Sequence, residues 1–578
     1  MPGSVRRLNS LRLPRSDVIV RRPLSPAWSL SLAWRIQLAT QPIKTKSPDS
    51  EHTTADRLLG CLRQPALVTN AARQHYTVIA DEGGPPSNAE DTGAHWGVLD
   101  PTPTPQTQEQ ALLDLIATFV AQSRNTLPTA DDVRAIIPRI EELYAAIRDS
   151  NATLPEGFAQ ASWSQLANAC VILARNENVT EEQRVLLLPI ILDAATNQVP
   201  QADSAEDQQH PVTGWSSYEP RISAAEGITL LARYDTCCTS AARDAILHLS
   251  TDPVPSVRLQ IASFVGCLYT TAPKLFWDLL EYYAHTEQNP TVLRDALSTV
   301  RRLPPSDTSK AADITAAIFA RIGSDPIYKE ARHACIAIFR LLALWADDAQ
   351  SATILDGLLA DPITYAEDLQ HLILGLGGEL PAREPLITEA AFRMLHRTLT
   401  SVMEAMQTLG AQHQGTAPPP VVEEQYGSLL RCANELTIRL YFASGAFKNQ
   451  DKNRVILPAE VFYEHTRPLF VMLAEIGHPH IVHYLLDTLK YFIATDPPGV
   501  LLLVGAVVRA GSKYGYQYEQ LAQTMMVDII EQYLAQYRPI LREHRECHEV
   551  LMEILDVFVR VGWPSAHLLM YRLGEIYR

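Results

Sequence analysis

The sequence has no Cys-x-x-Cys pair, no long hydrophobic run, no excess of positive charge and no phosphate-binding glycine loop, and each absence removes a class of protein. Its eight cysteines, Cys61, Cys170, Cys237, Cys238, Cys267, Cys335, Cys432 and Cys547, are scattered, six of them alone inside or beside apolar helical stretches. That usage fits reduced thiols serving as small core hydrophobes in a cytoplasmic protein, and not a disulfide framework or a zinc module. The longest apolar run, Val500 to Val508, is roughly half of the ~20 residues that span a bilayer. Pro497-Pro498 and Arg509 bound it, so it reads as a fully buried helix.

Lysine and arginine number 49 against 65 acidic residues, a formal charge of −16. Phosphate contacts need a basic face, so this balance argues against a general binder of nucleic acid or anionic membrane, while a local basic patch stays open. Aromatic residues are modest at 7%, and the 47% hydrophobic content is rich in Leu, Ala and Ile, which favours helix over sheet. A chain of 578 residues can bury several cores or one continuous one.

Catalytic motifs are equally sparse. A P-loop needs Gly-x-x-x-x-Gly-Lys-Ser/Thr, whose backbone N–H groups and lysine cradle phosphates, and no such string occurs. Gly511-Ser-Lys-Tyr-Gly515 has the wrong spacing and reads as a turn between helices; Gly375-Leu-Gly-Gly378 reads as a helix stop. His478, His480 and His483 cluster at a helix start, and His544, Cys547 and His548 share one helix face at i, i+3, i+4. Such spacing can chelate zinc, but without a His-Glu-x-x-His motif or a Cys-x-x-Cys partner these are expected to be surface or helix-end residues. The acid pairs Glu141-Glu142 and Glu423-Glu424 read as solvated faces, and no Gly-x-Ser-x-Gly elbow is present. No catalytic, cofactor-binding or metal residue is assigned, no cofactor is expected, and the expectation is a non-enzymatic chain.

What is present is helical periodicity. Residues 1–107 stand apart: Met1 to Lys46 carries many arginines against one acid, Asp17, and 80–108 is a Pro- and Gly-rich linker. Three readings of this segment stand, a disordered or non-native extension, a basic interaction tail and a targeting segment. From Gln108 onward apolar stripes follow one another, beginning with Leu112, Leu115, Ile116, Phe119 and Val120. The expected layout is a helical region over 108–215, repeats over 216–409, a Pro-rich loop over 410–427, and further helical repeats with a terminal cap over 428–578.

The repeats announce themselves through proline. Pro220, Pro255, Pro290, Pro326 and Pro362 are spaced by 35, 35, 36 and 36 residues, and each follows a short polar turn and precedes an apolar stripe. Such a period holds two helices and two turns, one helical hairpin, which cannot bury its apolar face alone and must stack on its neighbours. Proline at a helix start is tolerated because first-turn N–H groups lack an intrahelical partner anyway.

The clearest copy, Asp252-Pro-Val-Pro-Ser-Val-Arg258-Leu-Gln-Ile-Ala262, resembles the HEAT-repeat consensus. The resemblance is good over 216–305, weaker to about 375, and merely helical elsewhere. It implies an all-α fold, an α-solenoid of HEAT-like helical hairpins, in which an Asp and an Arg tie neighbouring repeats through a hydrogen-bond ladder. Asp252 and Arg258 match those positions, whereas Ser223, Leu293, Lys329 and Tyr365 stand where the other repeats would carry the arginine. The layout is also similar to the helical-repeat regions of bacterial STAND-type NTPases. The resemblance implies a non-enzymatic scaffold or sensor that binds a protein or peptide on the concave face of the solenoid. Its contact zone would be the exposed residues of the helices opening at Arg258, Leu293 and Lys329. Two alternatives accompany it: the repeat region of a multi-part NTPase, and a HEAT-like nucleic-acid binder using Arg301 and Arg302.

Overall fold

The structure is a computed structural model that describes residues 108–123, 126–149, 157–201, 219–303, 305–381, 384–413, 418–447, 456–515, 520–563 and 569–571. The extension, the linker and Cys61 lie outside the described residues, as does most of the acidic loop around Asp203. From Pro101 onward the chain forms one compact unit.

Among the described residues all regular structure is helical. The first helices are α1 (Gln108–Ser123), α2 (Ala130–Arg148), α3 (Phe158–Arg175), α4 (Glu181–Ala195), α5 (Pro220–Leu231), α6 (Ser240–Leu249) and α7 (Pro255–Phe264). The middle ones are α8 (Pro273–Thr286), α9 (Pro290–Val300), α10 (Thr308–Ile322), α11 (Lys329–Trp345), α12 (Ala349–Ala360), α13 (Ala366–Gly377) and α14 (Pro385–Gln412). The last are α15 (Pro420–Ser444), α16 (Ala459–Ile476), α17 (Pro479–Tyr491), α18 (Pro497–Gly511), α19 (Gln520–Gln536), α20 (Arg538–Glu543) and α21 (Arg545–Val561).

Local chemistry starts these helices where the sequence changes character. Thr129 and Thr180 each form a capping box, accepting from the third helical N–H while Asp132 or Gln183 accepts from the cap's own N–H. Asn289 caps α9 through its side-chain oxygen. The periodic prolines Pro220, Pro255 and Pro290 sit in the first turn of α5, α7 and α9. Pro326 opens a 3-10 turn, Pro326–Tyr328, that runs into α11, and Pro362 lies in the turn before α13.

The proline period therefore marks alternate helices. Each odd-numbered helix from α1 to α15 packs on the next odd one, and most even helices pack on the next even one, while sequence neighbours close each hairpin. Substantial contacts reach no further than three helices along the chain. Two layers stacked by nearest neighbours are an α-solenoid. The layers differ in burial: ten of the twelve residues of α5 are buried, against three of the ten of α6. In this repeat the odd helix is thus enclosed on almost all sides, and the even helix presents one apolar face inward.

The 410–427 boundary needs correction. Helix α14 continues to Gln412, and α15 already begins at Pro420, so the loop is shorter than the polar composition suggested. Its proline content misleads because Pro420 is accommodated at the first helical position. The Val500–Val508 run lies inside α18 and is mostly buried, and among the described residues no helix is long and apolar enough to cross a membrane.

Candidate functional site

Parallel odd helices give the inner layer two edges, one carrying their N-termini and the other their C-termini. Arginines occur on both, and their surroundings differ.

On the N-terminal edge they are buried and paired. Arg258 donates from Nε and Nη2 to the two carboxylate oxygens of Glu287, at 2.7 and 2.9 Å, and from Nη1 to the backbone carbonyl of Asp252 at 2.7 Å. The side chains are 9% and 1% exposed. Burial works against the Arg258 charge, and the Glu287 carboxylate more than offsets it, so its pKa is raised. The expected Asp252–Arg258 link exists, but through the main-chain oxygen. The Asp252 carboxylate instead accepts from the Val254 N–H at 2.8 Å and pairs with Arg221 of the preceding repeat at 2.8 Å. Two more repeats follow the scheme. Arg221 also donates to the Asn197 carbonyl, and Arg332 donates to the Asp325 carbonyl at 2.6 Å and pairs with Asp368 at 3.1 Å. The arginine of that rung is Arg332 and not Lys329, because the 3-10 turn at Pro326–Tyr328 moves the register by three residues. Beside it the rings of His333 and His371 stack at 4.4 Å. Burial first, then neighbouring cations, holds His371 down at about 4.

On the C-terminal edge the arginines divide: Arg175 is partly buried and paired with Glu226, whereas Arg233, Arg301 and Arg302 are exposed. Arg233 follows α5, Arg301 and Arg302 follow α9, and Cys267 of the intervening turn feels both Arg233 and Arg302. Arg233 lies over the ring of Tyr234, 4.8 Å from its centroid. Arg302 donates to Thr299 Oγ1 at 3.3 Å. Partial burial together with Arg340 and Arg302 lowers the pKa of Arg301, which nonetheless stays charged. Among the described residues neither Arg233 nor Arg301 pairs with a carboxylate. Arg340 does, with Glu379, which also accepts from the Trp345 indole N–H at 3.2 Å. Arg340 lies directly across Gly375, where a methyl group would come within 2.5 Å of its Nε; Arg439 crosses Gly377 in the same way. The glycines read as a helix stop lie within α13, up to Gly377, and admit two arginine side chains against its backbone. Burial pushes the Cys267 thiol up, with the arginines pulling against it, so this is no activated nucleophile.

The contact zone expected on the helices opening at Arg258, Leu293 and Lys329 changes accordingly. Arg258 and Leu293 are buried, and Lys329 is held by Glu367 at 2.8 Å. The enclosure of the odd layer leaves little of those helices free. Sequence reasoning found Arg301 and Arg302 as a doublet and missed Arg233 and Arg340. A usable signal existed: Arg233, Cys267 and Arg302 lie 13, 12 and 12 residues after Pro220, Pro255 and Pro290.

The remaining sequence candidates fall out as follows. His478 caps α17 and its ring lies 5.3 Å from that of His480. His544 caps α21, and Cys547 is buried toward the Pro498 carbonyl. No group of three His, Cys, Asp or Glu residues is disposed to hold a metal among the described residues. Gly511 ends α18 and Gly515 takes the left-handed conformation after a 3-10 turn. Glu142 pairs with Arg139 on an exposed face, and Glu423 and Glu424 are exposed near the start of α15.

No protein-family model matches the sequence, and no curated protein matches it. Nineteen structure chains match. One belongs to a homology model of the full-length AP-3 complex in an intermediate open conformation, with 13% identity over 81% of this chain and 93% of that one and a TM-score of 0.21. At that score the two do not superpose closely, and the fold assignment rests on the helix packing. By that packing, the chain is an all-α helical-repeat protein.

Proposed function

We propose that the chain is a non-enzymatic, cytoplasmic scaffold or sensor that binds a protein partner along its repeats. The observation that carries this reading is the group of exposed cations at the C-terminal edge, Arg233 from one repeat and Arg301 with Arg302 from the next but one, with no carboxylate partner at Arg233 or Arg301 among the described residues. Exposed charges on neighbouring structural units of one edge form an extended recognition surface, the usual way a solenoid engages a partner. The seven described cysteines, all free and six of them buried, support the cytoplasmic placement.

A tagged pull-down from the native host, at low and moderate salt, tests it by mass spectrometry and nucleic-acid staining. A stoichiometric protein partner surviving moderate salt is the expected result, and a P-loop protein in that position would make the chain the sensor part of an NTPase. Nucleic acid held at low salt and released at moderate salt, with no protein, would replace this reading with a phosphate-binding one.

A further inference from the structure

We infer that the C-terminal edge of the inner layer between α5 and α11 docks an extended acidic segment of a protein partner, anchored by Arg233, Arg301 and Arg302. This deepens the scaffold reading and rests on it.

Three observations point to an anionic ligand. The first is imbalance: the chain carries 16 more acids than bases, yet Arg233 and Arg301 have no carboxylate among the described residues. Next comes crowding. Arg301 sits in the repulsive field of Arg302 and Arg340, and Arg340 is already paired with Glu379. An incoming anion would relieve that repulsion. The third is placement: the cations are exposed at the ends of α5 and α9, the two helices that pack on either side of α7, and Arg233 and Arg302 both act on Cys267 in the turn after α7.

Spacing selects the kind of anion. Packed helices lie about 8–10 Å apart, and an extended chain advances about 3.3 Å per residue. The cationic ends of α5 and α9 are two such spacings apart, with α7 between them, so acids about six residues apart in an extended peptide meet both. Duplex nucleic acid presents a charge about every 1.7 Å of axis and needs a broader basic face than these residues provide on an acidic chain. Arg340 closes the run at one end, since Glu379 already occupies it. Tyr234 stiffens the other end by holding Arg233 against its ring and accepting its hydrogen bond. That arrangement lowers the entropy lost when the arginine is immobilised on a ligand.

The test uses the full chain and a fluorescein-labelled peptide of repeating Gly-Ser-Glu, read by anisotropy at low ionic strength. Saturable binding is expected, weakened at least about tenfold by Arg301→Glu combined with Arg302→Glu, and weakened less by Arg233→Glu. Arg545→Glu, an exposed cation at the start of α21 and well outside these repeats, should leave it unchanged. Arg301→Gln with Arg302→Gln, whose melting should match the parent, guards against a folding artefact. Absence of saturable binding, equal affinity in the arginine variants, or tighter binding of a single-stranded oligonucleotide would each overturn the proposal. Repeating the host pull-down with the doubly reversed chain separates the two levels. A partner retained undiminished leaves the scaffold reading standing and removes this surface. Peptide binding that depends on the arginines, with no protein captured from the host, keeps the surface and removes the scaffold reading.

Discussion

The two edges of the inner layer place the same residue in opposite surroundings. At the N-terminal edge Arg221, Arg258 and Arg332 are nearly withdrawn from water, each bound to a carbonyl of its own turn and to a carboxylate contributed by the next repeat. At the C-terminal edge Arg233, Arg301 and Arg302 reach solvent, where a helix C-terminus favours a cation without fixing it. What separates the buried arginines from these exposed ones is whether the neighbouring repeat supplies a counter-charge. Asp252 and Glu287 do so at one edge; at the other the matching positions hold Cys267 and a second arginine.

Removing the fastening should have the largest effect. Arg258→Ala leaves Glu287 buried without its cation and is expected to cost about 3–5 kcal/mol, whereas replacing both residues by apolar ones of similar volume should recover most of it. Urea unfolding of the two variants checks this, and a double variant no better than the single would refute the pairwise account. Arg332→Ala should cost somewhat less, about 2–4 kcal/mol. Burial already raises the Asp368 carboxyl, so it can take up a proton once Arg332 is gone. The deficit should accordingly shrink as the pH is lowered, which a urea series at several pH values would reveal. Gly375→Ala forces Arg340 off the α13 backbone and should cost roughly 1–3 kcal/mol, seen as a lowered melting temperature with Glu379 left without its partner.

A smaller effect follows from the stacked histidines. In the folded chain His371 binds a proton only near pH 4, while an unfolded histidine does so near 6.5. Between those values the unfolded state holds more protons, so stability is complete above about pH 6.5 and falls as the pH drops toward 4. His333, lowered mainly by burial, works in the same direction. His371→Gln should flatten that slope, and an unchanged slope would assign it elsewhere. The smallest effect is expected at the opposite edge, where Arg301→Ala should shift stability by no more than about 0.5 kcal/mol.

Much of this was legible in the sequence. The proline period located the first turns of α5, α7 and α9 because proline fits the first turn, where no intrahelical N–H is needed. Asp252 and Arg258 were recognisable as a rung, although which oxygen of Asp252 accepts depends on side-chain placement. The rung at Arg332 was hidden, since a 3-10 turn displaces it by three positions and sequence spacing alone points to Lys329. The C-terminal edge was only half visible. Arg301-Arg302 stand out as a doublet, but their alignment with Arg233 and Arg340 is created by stacking, and the unpaired state of Arg233 and Arg301 is a property of the assembled layer. The exposed zone expected beside Arg258 and Leu293 failed because periodicity reports one apolar stripe, whereas inner helices are enclosed by the outer layer and by both neighbours.

The most direct test of the division between edges is amide hydrogen exchange, read by mass spectrometry, on Arg258→Ala and Arg301→Ala in the full chain. Faster exchange in α7 and in the turn at Glu287–Asn289 for the first, with the second matching the parent throughout, is the predicted result. Equal loss of protection in both, or a loss confined to Arg301→Ala, would contradict it.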